Sequence, residues 1–408
     1  MRSPTNKYNG FDGISLKILC FVENQAHHLL YTLMQSYVLR TELKVSAVTK
    51  SGLPAKESSA SRSKPHDRIH WIDVAKGLGI VLVTFGHIRN GAGQSVWLPA
   101  LDKSIDAIYL FHMPFFFFLG GLTFSSRKPF LDFLKSKAKT LLIPYYVFSL
   151  YFLAKPIALL MHPSLAGSMR IDTDYTSGIA RQFYDILING SGLWFLWAYF
   201  IGEMMVFPLS RLYTARWQYI LSSFAFIGIY VTITNAFPSF SLPFCALRGI
   251  EVAGFILLGK ACKDFLISIT SRLVSGGLFL SSLTLFLLSI LWELNAATHW
   301  GHIIRSTVAM FLGVGLSVFF SIFIARNTVI EYIGRHSLSF YAVNAFTLNI
   351  GKMVFFKIIH INGLHSSILL QWIIGILLVT FCLILLAIED IIIRKLIPWS
   401  LGIKRQKK

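Results

Sequence analysis

The chain has 408 residues, 54% of them hydrophobic and only 14% charged, with a formal net charge of +19. Soluble domains carry about 25% charged residues, so this composition excludes an ordinary water-soluble globular protein. The positive balance does not indicate a nucleic-acid partner: the basic residues sit between apolar runs and form no stripe with interleaved aromatics.

Residues 1–67 differ from the rest. The stretch Thr49–Asp67, with Ser51, Ser58, Ser59, Ser61 and Ser63, reads as a flexible linker. Before it, Ile14–Leu39 is mildly apolar but interrupted by Glu23, Asn24, Gln25, His27 and His28, and lacks a signal-peptide cleavage site. A surface-lying helix and translated sequence upstream of the true start both fit. The whole segment is expected to be a cytoplasmic, partly disordered extension.

Apolar runs then follow near 71–89, 105–124, 141–161, 193–210, 218–236, 244–260, 274–292, 303–324, 330–351 and 367–389. Each is near the roughly 20 residues that cross a hydrocarbon core about 30 Å thick. Backbone polar groups in lipid must bond internally, so the runs predict helices. The expected fold is an all-α polytopic membrane protein with about ten transmembrane helices. Lys and Arg concentrate in alternate loops, for example Arg127, Lys128, Lys135, Lys137 and Lys139, and in the basic tail 396–408. The opposite loops hold few, such as Arg89, Lys103 and Lys352. This asymmetry places both termini in the cytoplasm. The long loop 162–192, with Asp172, Asp174 and Asp185, is expected outside and suits a substrate mouth. The absence of an internal repeat counts against a secondary transporter.

The first run carries the chemistry. It holds Arg68, Asp73, Lys76 and Gly77, and ends in Gly86-His87. A charge inside a span costs about 2.5–3.5 kcal/mol, so it usually serves a function. Eleven residues separate Lys76 from His87. That is close to three helical turns, so both lie on one face, roughly 16 Å apart along the axis. Asp73, three residues before Lys76, is placed to pair with it. The second run contains Phe111-His112-Met113-Pro114, in which Pro114 removes a backbone donor beside His112. His112 falls at a depth compatible with His87, and two imidazoles in one cavity suit general base work near neutrality. The phenylalanines 115–118 read as packing or lipid-facing residues.

These motifs resemble the integral-membrane acyltransferase-3 family, covering about 68–395. The matching elements are Arg68…Asp73-x-x-Lys76-Gly77…Gly86-His87, the Phe-His-Met-Pro-Phe-Phe-Phe of 111–117, Trp194-Phe195-Leu196, and Ile333–Tyr341 with its Gly-x-x-Ser-Leu core. The second motif is most similar to the fucose 4-O-acetylase-like and O-antigen O-acetyltransferase branch. The resemblance implies transfer of an acyl group, usually acetyl, from cytoplasmic acetyl-CoA to a hydroxyl of an envelope glycan such as O-antigen or exopolysaccharide. It implies residence in the bacterial inner membrane, with lipid and the glycan acceptor as partners. His87 would be the catalytic histidine, joined by His112, with Lys76, Arg68 and Asp73 handling the acyl donor. Two departures stand out: Asn344 occupies the position of a late histidine, and Lys137, Lys139 and Thr140 stand where the family often has paired arginines.

Arg248, Glu203, Trp194 and Asn344 are candidate cavity-lining residues, and Arg248 and Glu251 of the sixth run could pair with Glu203 across helices. Glu293, His299, His302 and Arg305 cluster near an outer loop, but the two histidines have no obvious third partner, so no metal is expected. The four cysteines, Cys20, Cys245, Cys262 and Cys382, lack metal or redox spacing. The competing reading is a multi-helix transporter or flippase whose buried charges line a translocation path. A non-catalytic scaffold is a third.

Overall fold

A computed structural model describes residues 68–89, 97–154, 157, 161, 179–291 and 299–403. The N-terminal extension, Asp172 and Asp174 of the long loop, Glu293 and the last five residues of the basic tail lie outside the described residues.

All regular secondary structure among the described residues is helical. The helices are α1 (His70–Gly86), α2 (Asp102–Tyr109), α3 (His112–Thr123), α4 (Phe130–Lys137), α5 (Ile143–Ser149), α6 (Ile179–Tyr184) and α7 (Trp194–Leu212). There follow α8 (Arg216–Ala236), α9 (Ala246–Ser268), α10 (Arg272–Leu291), α11 (His299–Ile324), α12 (Thr328–Arg335), α13 (Ser337–Lys352) and α14 (Ile368–Leu396). Six described stretches are long and apolar enough to cross a membrane: Pro99–Thr123, Arg181–Leu212, Arg216–Ala236, Arg272–Leu291, His299–Ile324 and Ile368–Leu396. The chain is an all-α polytopic membrane protein. Four other predicted runs fall outside that set. The α1 helix has 17 residues, α9 carries five charged residues, and the runs 141–161 and 330–351 are interrupted. These are the polar or broken segments, and the first, sixth and ninth runs build the interior.

The interruptions have local causes. The second run is two helices, because the chain turns at Leu110–Phe111 and restarts at His112. Pro114 therefore sits in the first turn of α3, where a missing N–H costs nothing, instead of loosening a continuous helix. The ninth run breaks at His336, between α12 and α13. Asn327 caps α12 by accepting a hydrogen bond from Ile330 N, and Ser367 caps α14 by accepting from Leu370 N.

Helix α1 packs against α3, α11, α12, α13 and α14, so the charged first run is a central element. Its crossing with α12 depends on two glycines. A Cβ at Gly77 would run into the Ile330 carbonyl, and one at Gly334 into the Asp73 carbonyl. Backbones without Cβ approach closely enough for dispersion to hold them where lipid supplies no hydrophobic drive. Phe115 and Phe117 are fully buried in one core cluster with Val252 and Phe255 of α9, so these two are packing residues. Outward faces are apolar instead: Leu273 is 87% exposed, and Leu221, Leu280 and Leu369 are also exposed. Such faces are stable against acyl chains and would be a liability in water.

Candidate active site

The site grows from the two ends of α1. At the end that starts the helix, Asp73 is buried and accepts a hydrogen bond from Arg68 Nε at 2.5 Å, with Arg335 Nε at 3.7 Å. Beside them lies Glu331, 1% exposed, which contacts His70 Nδ1 at 2.9 Å, Arg335 Nη2 at 2.6 Å and Arg326 Nε at 3.8 Å. A third buried carboxylate, Asp390 of α14, accepts from Arg394 Nε at 2.7 Å, Tyr332 at 3.2 Å and Ser339. These carboxylates pin α1, α12, α13 and α14 together, and the arginines they hold, Arg68, Arg326 and Arg335, stay part exposed at the rim.

The expected Asp73–Lys76 pair does not form. Arg68 and Arg335 take both the space and the charge of Asp73. Lys76 makes no hydrogen bond or ion pair among the described residues. Its side chain instead lines a cavity of about 150 Å³ between α1, α3, α7 and α13, with Phe116, Phe195, Tyr199 and Tyr341. A half-buried ammonium with an open cavity before it is an available electrostatic group.

At the other end of α1 a second cavity of about 380 Å³ holds both His87 and His112. Tyr109 stands between the two rings, 5.9 Å from His87 and 5.0 Å from His112 by ring centroids. Trp194, Tyr230, Arg248 and Glu251 complete the wall. Each histidine has Nδ1 at 3.0 Å from the carbonyl four residues earlier, Val83 for His87 and Ile108 for His112. A carbonyl can only accept, so each Nδ1 carries a proton. In the neutral rings both Nε2 atoms therefore keep a lone pair, the form a base or a nucleophile needs. The His87 ring is exposed to the cavity although protein surrounds it on the other sides. Lys352 Nζ donates to the His87 carbonyl at 2.8 Å and the Arg89 carbonyl at 3.3 Å, and Tyr109 Oη donates to the Gly86 carbonyl at 3.1 Å. These bonds satisfy the orphan carbonyls at the end of α1 and fix the segment that carries His87.

The two cavities share Met113 and Tyr341 as lining residues. Lys76 and His87 thus face adjoining internal spaces along one helix. Arg248 lines the His87 cavity, its guanidinium 4.2 Å from the centroid of Trp194, a cation–π stack that orients both. Two candidate lining residues lie elsewhere. Glu203 is 1% exposed and accepts a hydrogen bond from Lys137 Nζ at 2.5 Å, so it borders neither cavity. That pair also commits Lys137, one of the lysines standing where paired arginines were expected. Asn344 is buried behind α1, donating to Thr84 Oγ1 at 2.8 Å. His299 and His302 border a third, open cavity, and no group of three or more His, Cys, Asp or Glu suited to a metal occurs among the described residues.

Sequence reasoning missed Glu331, Asp390 and Tyr109, and it noted Tyr341 in the late motif without placing it at a cavity. Glu331 and Asp390 each lie inside or beside an apolar run, which was a signal that could have found them.

Compared with known proteins, the chain matches a family model described as an acyltransferase domain, of the acyltransferase-3 type, over residues 69–388. No curated protein and no solved structure matches it.

Proposed function

The chain belongs to the acyltransferase-3 family, and on that premise we propose that this membrane acyltransferase moves acetyl from cytoplasmic acetyl-CoA to a hydroxyl of an envelope glycan, O-antigen or exopolysaccharide, in the bacterial inner membrane. The observation that carries the reading is the run of two adjoining cavities along α1, one faced by Lys76 and the next by His87 and His112.

The part-exposed guanidinium groups of Arg68, Arg326 and Arg335 would attract the CoA phosphates, and Lys76 would hold the donor electrostatically at the first cavity. The mostly apolar first cavity suits the pantetheine arm, which would carry the thioester past Met113 and Tyr341. There His87 Nε2 would accept the proton of the glycan hydroxyl as its oxygen attacks the thioester carbonyl. A C–O bond forms and the C–S bond breaks. The departing CoA thiolate then takes the proton from the imidazolium. His112 and Tyr109 would hold the hydroxyl against His87.

The test is mass spectrometry of envelope polysaccharides from cells with and without this chain. O-acetyl groups should be present in the first and missing in the second. Identical acylation in both would remove the glycan assignment.

A further inference from the structure

The His87 cavity does not end at Glu251. It continues into the third cavity, about 410 Å³, between α8, α9 and α11, and the two share Tyr109, Leu110, Tyr230 and Glu251. Each volume falls within the roughly 300–1,000 Å³ of small-molecule sites. The lining of the third cavity is mostly apolar, with Thr234, Asn235, Ser306, Thr307, His302 and Glu251 set into it. The Thr234 and Thr307 hydroxyls donate to carbonyls of their own helices, at 2.8 Å each, and their oxygens keep acceptor lone pairs toward the cavity. Asn235 Nδ2 donates to the Val231 carbonyl at 2.7 Å, which leaves its Oδ1 as a further acceptor. The side chains of Ser306 and His302 make no hydrogen bond among the described residues, and both residues border the cavity. Glu251, 92% buried, stands at the junction with its carboxyl beside Tyr230.

An acyl chain would match Ile227, Val231, Ile303 and Met310 but would leave the Ser306, His302 and Asn235 Oδ1 groups without partners. A molecule carrying many hydroxyls, each able to donate and to accept, satisfies them. We propose that the third cavity is a second sugar-binding subsite, so that the acceptor is engaged as at least two linked sugars, one in each cavity. The inference rests on the His87 cavity being the acyl-transfer site. The acylated sugar sits by His87, and its neighbour sits between α8 and α11, with Glu251 and Tyr230 bonding to hydroxyls at the junction.

The experiment uses the full chain in proteoliposomes with labelled acetyl-CoA. The acceptors are mono-, di- and trisaccharide fractions from a partial hydrolysate of de-O-acetylated envelope polysaccharide. The disaccharide fraction should show kcat/KM at least 10-fold above the monosaccharide fraction. The double variant Asn235→Leu, Ser306→Leu should lose that gain, with the monosaccharide rate and the KM for acetyl-CoA unchanged. The single variant Ser306→Cys keeps the inference testable if the double variant does not fold. Its labelling by a membrane-impermeant maleimide should be blocked by the disaccharide fraction and not by the monosaccharide fraction. Equal use of both fractions, or equal protection by both, overturns the second subsite while acyl transfer stands. No transfer to any fraction overturns the underlying reading and the subsite with it. Protection by lipid alone assigns the cavity to an acyl chain and also overturns the proposal.

Discussion

Replacing His87 with glutamine is expected to lower acyl transfer by roughly 10²- to 10⁴-fold, the contribution of a well-placed general base. Glutamine keeps an amide N–H that can reach the Val83 carbonyl, so the end of α1 should stay formed. It has no titratable lone pair at the position of Nε2. The loss should appear in kcat, with the KM for acetyl-CoA little changed, because the proposed mechanism holds the donor at the Lys76 cavity and not by the imidazole. Thermal stability should stay near that of the parent chain, since the ring faces a cavity and packs no core. The corresponding His112→Gln change is expected to cost less, because His112 is 2% exposed and assists at one side of the Tyr109 ring. Initial rates in proteoliposomes, with circular dichroism and a melting curve alongside, separate lost chemistry from lost fold. Full activity of the His87→Gln chain would remove the assignment of that residue.

The largest effect on stability is expected from Glu331→Ala. This carboxylate is buried, and His70, Arg335 and Arg326 all converge on it. Without it, two guanidinium groups and an imidazole face one another across the α1–α12 crossing. Breaking a buried ion pair by removing one partner costs about 3–5 kcal/mol. Arg335 and Arg326 are 40% and 70% exposed, so water relieves part of this and the lower end applies. Glu331→Gln should recover part of the loss, because its amide oxygen can still accept from Arg335. Melting in detergent should rank the parent first, Gln second and Ala last. Equal melting temperatures for all three would show that the cluster is not a structural knot. The crossing itself leaves no slack, as Gly77 and Gly334 already bring the two backbones into contact.

The fold class was legible in the sequence because it rests on local signals. Apolar runs of the right length name the helices, and charges inside the first run set it apart as a segment that does not face lipid all round. The 11-residue spacing of Lys76 and His87 sufficed to place them along one face, since α1 is a regular helix. Errors arose where distant segments compete. Asp73 looked like a partner for Lys76 because they are three residues apart, yet Arg335, 262 positions later in the chain, and Arg68 claim it. Glu203 looked like a cavity residue because its partner Lys137 was read as a loop lysine. Asn344 was judged by the histidine it replaces, and in the fold it supports Thr84 behind α1 instead. The break at His336 was hidden because the run 330–351 is apolar enough to read as continuous, while three polar contacts to Asp390 hold the chain there. The third cavity draws on α8, α9 and α11 together, and no single segment announces it.

The claim on which the rest depends is that an acyl group travels between opposite membrane faces through the adjoining cavities of α1. Proteoliposomes holding the chain, loaded with labelled acetyl-CoA inside and given de-O-acetylated envelope polysaccharide outside, test it directly. Label should accumulate on the external polysaccharide, and only in vesicles whose chains present the Arg68 end to the lumen. Transfer that requires donor and acceptor on the same side, or export of a solute without consumption of acetyl-CoA, would contradict it.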